Sequence, residues 1–341
     1  MKRRDFMVTL AAGAACAPVH GLFGAEQPNY QRANTDWLAK CRYGIGVHWT
    51  AQTVPRHGDP LPFQRAVDSF KLKEFVEQVR DAGADYVLFT AAHALQMLPA
   101  LHPVIDRILP GRTCKRDLIA ELADALAAHG LPLLVYWNHS CNGRDDPPWR
   151  RAVGYDGQDK NVLAKNLIEI VAWMGERYKD KVKAWWFDSA YSLDPRGPYN
   201  SVTTEMTGFQ FPWEQFTVAA KTGFPARLVT YNAGVAKTFL YTTHQDYWAG
   251  ELVNLKTPAT DRYLENGLQW FGWTCLDFRA WVHTKRNTEI PKPLYSDEEV
   301  AAFVRTCNSH QAPMTFNVGI YQDGTMAPAS VEQLHRIGKT A

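Results

Sequence analysis

The sequence predicts an α/β fold: a (β/α)8 barrel of TIM type, in a single domain. Three observations carry this. Short apolar runs of strand length recur eight times over about 300 residues, the number such a barrel needs. Amphipathic helical stretches separate the earlier runs, several ending in glycine. No GxGxxG follows any strand, which removes the signature of the doubly wound rival.

In chain order, YGIGVHW (43–49) is the first strand. FKLKEFVEQVRDAG (70–83) has apolar residues at helical spacing before a glycine stop, and ADYVLFTAAH (84–93) is the second strand. RDLIAELADALAAHG (116–130) is a helix feeding LPLLVYWN (131–138), the third strand. The long helix NVLAKNLIEIVAWMGERY (161–178) leads into VKAWWFD (182–188), the fourth. ARLVTYN (226–232), HQDYWAG (244–250) and LQWFGWT (268–274) are the fifth to seventh, with poorly patterned sequence between them. EEVAAFVRTCNSH (298–310) is a helix before the eighth strand, APMTFNVG (312–319), and VEQLHRIGK (331–339) is the closing helix.

The 341 residues are 46% hydrophobic and 12% aromatic, enough for one large core of barrel size or for two ordinary domains, and the net charge of +2 excludes a strongly basic nucleic-acid binder. The first 25 residues read as separate from the fold. Arg3-Arg4, Asp5 and Phe6 precede a moderately apolar stretch and small residues near Ala25, a pattern resembling a twin-arginine export signal. The stretch is too short for a membrane span. The expectation is therefore a periplasmic or secreted protein, with the barrel over 26–341. Loss of the signal removes Lys2, Arg3, Arg4 and Asp5, leaving equal numbers of acids and bases, so nothing favours an anionic partner. Cys16 would leave with it. Cys41, Cys114, Cys141, Cys275 and Cys307 are scattered and without a CxxC pair, so they form neither a disulfide framework nor a zinc site.

Barrel active sites lie at the C-terminal ends of the strands. Those ends carry His48-Trp49, His93, Tyr136-Trp137-Asn138, Asp188, Tyr231-Asn232, the segment from Asp246 to Glu251, Trp273 and Asn317. Any one histidine or tryptophan there is more often packing than chemistry; it is their convergence that points to a site. His48, His93, His139, His244 and His283 stand singly, with no HxH or HExxH, so no metal is expected, and without GxSxG no serine nucleophile is expected either. Carboxylates among aromatics remain, the equipment of glycoside hydrolysis. One ionised acid attacks or stabilises the anomeric carbon, and one protonated acid assists the leaving oxygen. Asp188, at the end of KAWWFD, suits the first role, and Glu251, straight after YWAG, suits the second. Glu205, Glu214 and Glu265 lie in loop or helix contexts, and Asp246 and Asp277 in less aromatic ones.

At this point a resemblance becomes specific. RYGIGVHWTAQTVPRHG is similar to the opening "FGIFxHWG" strand of the family 29 glycoside hydrolases, the α-L-fucosidases. FVEQVRDAGADYVLFTAAH resembles their "F…KxAGAxYxxLTxKHH", and RDLIAELADALAAHGLPLLVYW their "RDlvgEl…a…rGLkfGlYyS". WWFD resembles the "WfDg" motif of the nucleophile, and FNVGIYQDGTMAPASVEQLHRIG the closing "LNvgPxxdGxi…L…iG". The likeness runs in order from about 41 to 339 and covers the catalytic barrel, without the C-terminal β-sandwich of many relatives.

The resemblance implies a retaining exo-glycosidase with no cofactor, releasing a terminal α-L-fucosyl or related sugar through a covalent glycosyl-enzyme. It makes Asp188 the nucleophile and Glu251 the acid/base, His48 and His93 sugar-contacting histidines, and Tyr136-Trp137 the aromatic pair after the third strand. Trp49, Trp248 and Trp273 are expected to wall the same carbohydrate site. The sequence also departs from the family. The paired histidine is His93-Ala94, "DGF" is Leu95-Gln96-Met97, "WE" is Trp273-Thr274, and the glycine after the nucleophile is Ser189. A changed sugar specificity and an inactive carbohydrate-binding barrel are the two alternatives.

Overall fold

The computed structural model describes residues 31–141, 146–198 and 206–339; the expected export signal, Cys16 and Glu205 lie outside these residues. Seven parallel strands form one curled sheet: β1 (Tyr43–Val47), β2 (Val87–Ala92), β3 (Leu133–Asn138), β4 (Val182–Asp188), β5 (Leu228–Tyr231), β6 (Gly272–Cys275) and β7 (Met314–Asn317). Their order is β5-β4-β3-β2-β1-β7-β6. Around them lie α1 (Asp36–Ala39), α2 (Phe63–Ser69), α3 (Leu72–Asp81), α4 (Pro103–Ile108), α5 (Leu118–Ala127), α6 (Pro147–Val153), α7 (Lys160–Tyr178), α8 (Trp213–Ala220), α9 (Asp297–Ser309) and α10 (Pro328–Gly338). Among the described residues, no helix is long and apolar enough to cross a membrane.

The expected sixth strand takes another form. Residues 246–251 bridge β5 to β6 without becoming a regular strand. The Asp246 amide donates to Val229 at 2.9 Å, Trp248 to Gln269 at 2.9 Å, and Trp273 to Gly250 at 2.7 Å. Gly250 breaks the run: its φ is +61°, and a Cβ there would stand 1.7 Å from the Phe271 carbonyl oxygen. Among the described residues, no helix lies between β5 and β6, which accounts for the weak patterning of that stretch.

Strand alternation divides the core in two. Leu88, Leu134, Tyr136, Ala184, Trp186, Leu228, Phe271 and Trp273 point inward and fill the barrel. Their sequence neighbours Phe89, Val135, Trp137, Trp185, Phe187 and Val229 point outward and pack under the helices. Truncating a buried aromatic in either layer costs ~3–5 kcal/mol. On β1 the inward positions are glycines. A Cβ on Gly44 would meet the Tyr86 ring at 2.2 Å, and one on Gly46 would meet Trp273 Nε1 at 2.6 Å. The next inward residue is His48, so β1 yields space to aromatics inside the barrel and places an imidazole at its mouth.

Several helices start at side-chain caps. Asp117 accepts from Ala120 N at α5, Asp159 caps α7, and Ser296 with Glu299 forms a capping box at α9. Each such cap is worth ~1 kcal/mol.

Candidate active site

Asp188 ends β4 in register with Asn138 on β3, and it follows Ala184 and Trp186 on the inward face. Four donors surround its carboxylate. Oδ2 accepts from the Tyr136 hydroxyl at 2.5 Å and from Asn138 Nδ2 at 3.0 Å. Oδ1 accepts from the Ser189 amide at 2.6 Å and from Asn232 Nδ2 at 2.9 Å. Such bonds fix its orientation.

Two histidine tautomers follow from the same bookkeeping. Tyr136 gives its one proton to Asp188, so His93 Nδ1, 2.7 Å from that hydroxyl, is the donor to it. Asn317 spends its Nδ2 on the Trp281 carbonyl at 3.1 Å, so its Oδ1 accepts from His48 Nδ1–H at 2.9 Å. Burial holds the His48 pKa well below the ordinary histidine value, and neighbouring His93 adds to this. His48 is thus a neutral imidazole with Nε2 as an acceptor. It stacks on Trp273, with ring centroids 4.9 Å apart.

Glu251 stands across the mouth, next to Asp188 in space though 63 positions away in sequence. Its Oε2 accepts from Asn232 Nδ2 at 2.8 Å. Burial first, and then the charge of Asp188, pushes its pKa up to about 7, against the pull of the Asn232 hydrogen bond. The two carboxyl groups therefore have opposed environments, one dressed with four donors and one raised towards neutrality.

These groups line a cavity of about 230 Å³. His48, His93, Tyr136, Asp188, Glu251 and Trp273 all reach it, as the sequence led one to expect. Trp49, Trp137 and Trp248 do not. Trp49 and Trp137 follow inward-facing residues by one position, so the pleat turns them outward. Trp49 packs against Phe63 and Phe70 and donates to the Gln322 carbonyl at 3.0 Å. Trp137 packs edge-on to Phe187, and Trp248 donates to the Lys237 carbonyl at 2.6 Å.

Sequence reading did not single out Asn138 or Asn232 for the site, although both stood at strand ends. Period-two spacing from Tyr136 and Thr230 was the available signal. Trp186, Ser140, Tyr191 and Trp281 also line the cavity. Ser140 and Trp281 come from loops and Tyr191 from the single 3-10 turn Ala190–Ser192, where no periodicity reports direction. Four residues around the mouth hold left-handed backbone without being glycine: Ala94, Ser140, Ser189 and Trp281, with φ between 56° and 60°. Such strain gathers at functional sites.

The other acids have structural work. Asp246 pairs with Lys221 at 2.7 Å and accepts from the Ala33 and Val229 amides. Asp277, its pKa raised by burial to about 6, accepts from Gly319 N and Ser330 Oγ. Glu214 accepts from Thr242 at 3.0 Å. Thr274 is buried, its hydroxyl donating to the Leu252 carbonyl at 2.8 Å.

Solved structures share this fold. An endo-fucoidan hydrolase of glycoside hydrolase family 107 superposes with a TM-score of 0.63 at 16% identity; the match covers 89% of this chain and 53% of that one. The chain thus spans about half the length of that neighbour. Alpha-L-fucosidase isoenzyme 1 from Paenibacillus thiaminolyticus gives 0.62 at 18% identity, covering 89% and 74%. An alpha-L-fucosidase from Lactobacillus casei, solved with its α-L-fucose product, gives 0.58 at 14%, covering 90% and 98%. No curated protein matches the sequence. The family model for alpha-L-fucosidase matches residues 61–340, from just before α2 to just past α10, a span that holds both carboxylates of the cavity. With most of its length accounted for in this way, the chain belongs to the alpha-L-fucosidase family of glycoside hydrolases.

Proposed function

We propose that the chain is an exported, retaining exo-glycosidase that releases a terminal α-L-fucosyl or closely related sugar, with Asp188 as nucleophile and Glu251 as acid/base. The observation that carries the reading is the single nitrogen of Asn232 bonded to both carboxylates, at 2.9 and 2.8 Å. That shared donor holds the two carboxyls close together, which favours the ~5–5.5 Å spacing of retaining enzymes over the ~6.5–9.5 Å of inverting ones. A cavity of about 230 Å³ is small beside the ~300–1,000 Å³ of larger ligand sites and suits one sugar ring. Export rests on the sequence of residues 1–25 alone.

The chemistry runs in two displacements. Asp188 attacks the anomeric carbon; the glycosidic C–O bond breaks, and its oxygen takes the Glu251 proton. The ester so formed removes the Asp188 charge, one of the two causes holding the Glu251 pKa up. Glu251 becomes a better-stabilised carboxylate at the moment it must act as base. It then takes a proton from water, the water oxygen attacks the anomeric carbon, and Asp188 departs as carboxylate. Tyr136, Asn138, Asn232 and the Ser189 amide receive that returning charge.

A second reading, a sugar other than fucose, is favoured by Ala94 at the cavity wall, at the place of the second histidine in the family motif that this segment resembles. Hydrolysis of aryl α-L-fucoside, α-L-galactoside, β-D-galactoside and α-L-arabinoside, with NMR of the first-formed anomer, tests both readings. No turnover on the whole panel would leave an inactive carbohydrate-binding barrel, and an inverted product would overturn the nucleophile.

A further inference from the structure

Ser189 follows Asp188 directly and sits in the left-handed region, φ 60° and ψ 28°. A side-chain-bearing residue adopts that conformation at a cost that glycine escapes. The Ser189 amide, on the near side of that turn, donates to Asp188 Oδ1 at 2.6 Å. Something must hold it there, and the Ser189 carbonyl shows what does. It accepts from Ser192 N at 2.9 Å, Ser192 Oγ at 2.7 Å and His139 Nε2 at 3.0 Å.

His139 is built for that contact. Its Nδ1 accepts from the Cys141 amide at 3.1 Å, so the ring carries its proton on Nε2, which faces the Ser189 carbonyl and also lies 3.1 Å from Ser192 Oγ. Burial lowers its pKa to about 4, so the ring is neutral at ordinary pH. Its own carbonyl accepts from Trp149 Nε1 at 2.8 Å, tying it to α6. It does not line the sugar cavity, lying one residue past the inward-facing Asn138.

We propose that His139 is a positioning residue: its Nε2–H grips the Ser189 carbonyl, keeps residue 189 left-handed, and so anchors the 188–189 peptide where its amide meets an Asp188 carboxylate already held by Tyr136, Asn138 and Asn232. This rests on Asp188 being the nucleophile. The latch makes a serine workable where glycine would hold the same turn unaided.

Epistasis tests it. His139→Leu removes the donor at similar bulk, and kcat on aryl α-L-fucoside is expected to fall about a hundredfold with KM within about twofold. The quantity that decides is the same substitution made on top of Ser189→Gly, where it is expected to cost less than about fivefold. His139→Gln, which can return an N–H to the carbonyl, is expected to recover most of the loss. An equal cost in both backgrounds, or a loss confined to KM, overturns the proposal. If His139→Leu does not fold, His139→Ala carries the same comparison. A second readout needs no turnover: the residue 189 amide proton, shifted downfield by its bond to Asp188, moves upfield in the single variant and returns in the double. A wild type inactive on the sugar panel with the amide behaviour intact would fault the glycosidase reading and leave the latch standing. An amide unmoved by His139→Leu sinks the latch whatever the activity.

Discussion

Asp188 and Glu251 share one hydrogen-bond donor. Asn232 Nδ2 lies 2.9 Å from the first and 2.8 Å from the second, its two protons divided between them. Its Oδ1 is in turn held by the Gly234 amide at 3.0 Å, so the side chain cannot swing to favour one acid. The bridge sets the spacing of the pair and opposes the other influences on the Glu251 pKa. Asn232→Ala is therefore expected to raise that pKa above 7 and lower kcat by about ten- to a hundredfold, the worth of ~1.5–3 kcal/mol for a bond to a charged group. A pH–rate profile on an aryl fucoside checks it; an unmoved basic limb would count against the bridge.

The Glu251 pKa gives a second expectation. In its proposed role as general acid it must start protonated, so kcat/KM is expected to fall as pH rises through about 7. Because the charge of Asp188 helps to raise that pKa, Asp188→Asn is expected to lower it, visible by NMR titration of the Glu251 carboxyl.

Stability follows the same group. The folded pKa lies above the ordinary value of 4.5, so the contribution is complete below about pH 4.5 and is lost as pH rises through about 7. Glu251→Gln is expected to be nearly inactive yet more stable than the wild type at pH 8, with ~3 kcal/mol as the ceiling from the shift. Equal melting temperatures across pH 5 to 8 for both proteins would contradict the raised pKa.

Asp188→Asn keeps shape and loses charge at a rim position, so it is expected to stop turnover while melting within a few degrees of the wild type. Asp188→Gly supplies the chemical test: azide can enter the vacated space, and a retaining site should then give a glycosyl azide of inverted configuration. Rescue without inversion would remove Asp188 from the nucleophile's role.

The strands that hold the chemistry were legible because their apolar runs are short and end in polar residues. KAWWFD, LLVYWN and YGIGVHW each place their last inward residue at the mouth. The same period of two would have excluded Trp49 and Trp137, whose aromatic character suggested sugar contact while the pleat sends them under the helices. The sixth position was unreadable as an irregular segment because its pairing depends on the carboxylate of Asp246 and the turn at Gly250, neither of which is a pattern. Tyr191, in a single 3-10 turn, and Trp281, in a loop, reach the cavity through backbone conformations that leave no trace in periodicity. Asn232 was visible at its strand end, but its double contact needs Glu251 brought beside β5 by the long excursion between them.

Ala94 makes the last case, on specificity. It lines the cavity beside His93, in a three-residue turn closed by the Leu95 amide on the His93 carbonyl at 2.7 Å. Its φ is +59°, a region where histidine is among the better-tolerated residues, so Ala94→His can be accommodated without rebuilding the turn. An imidazole there adds a donor at the sugar ring and takes up space. If that space serves a substituent that fucose lacks, such as the C6 hydroxyl of L-galactose, the substitution helps fucoside and hinders the bulkier sugar. The expected change in the ratio of their kcat/KM values is about tenfold, the worth of one hydrogen bond near 1.4 kcal/mol. Measuring both aryl glycosides on both proteins settles it. Equal effects on the two sugars would mean that residue 94 shapes the turn and not the choice of sugar.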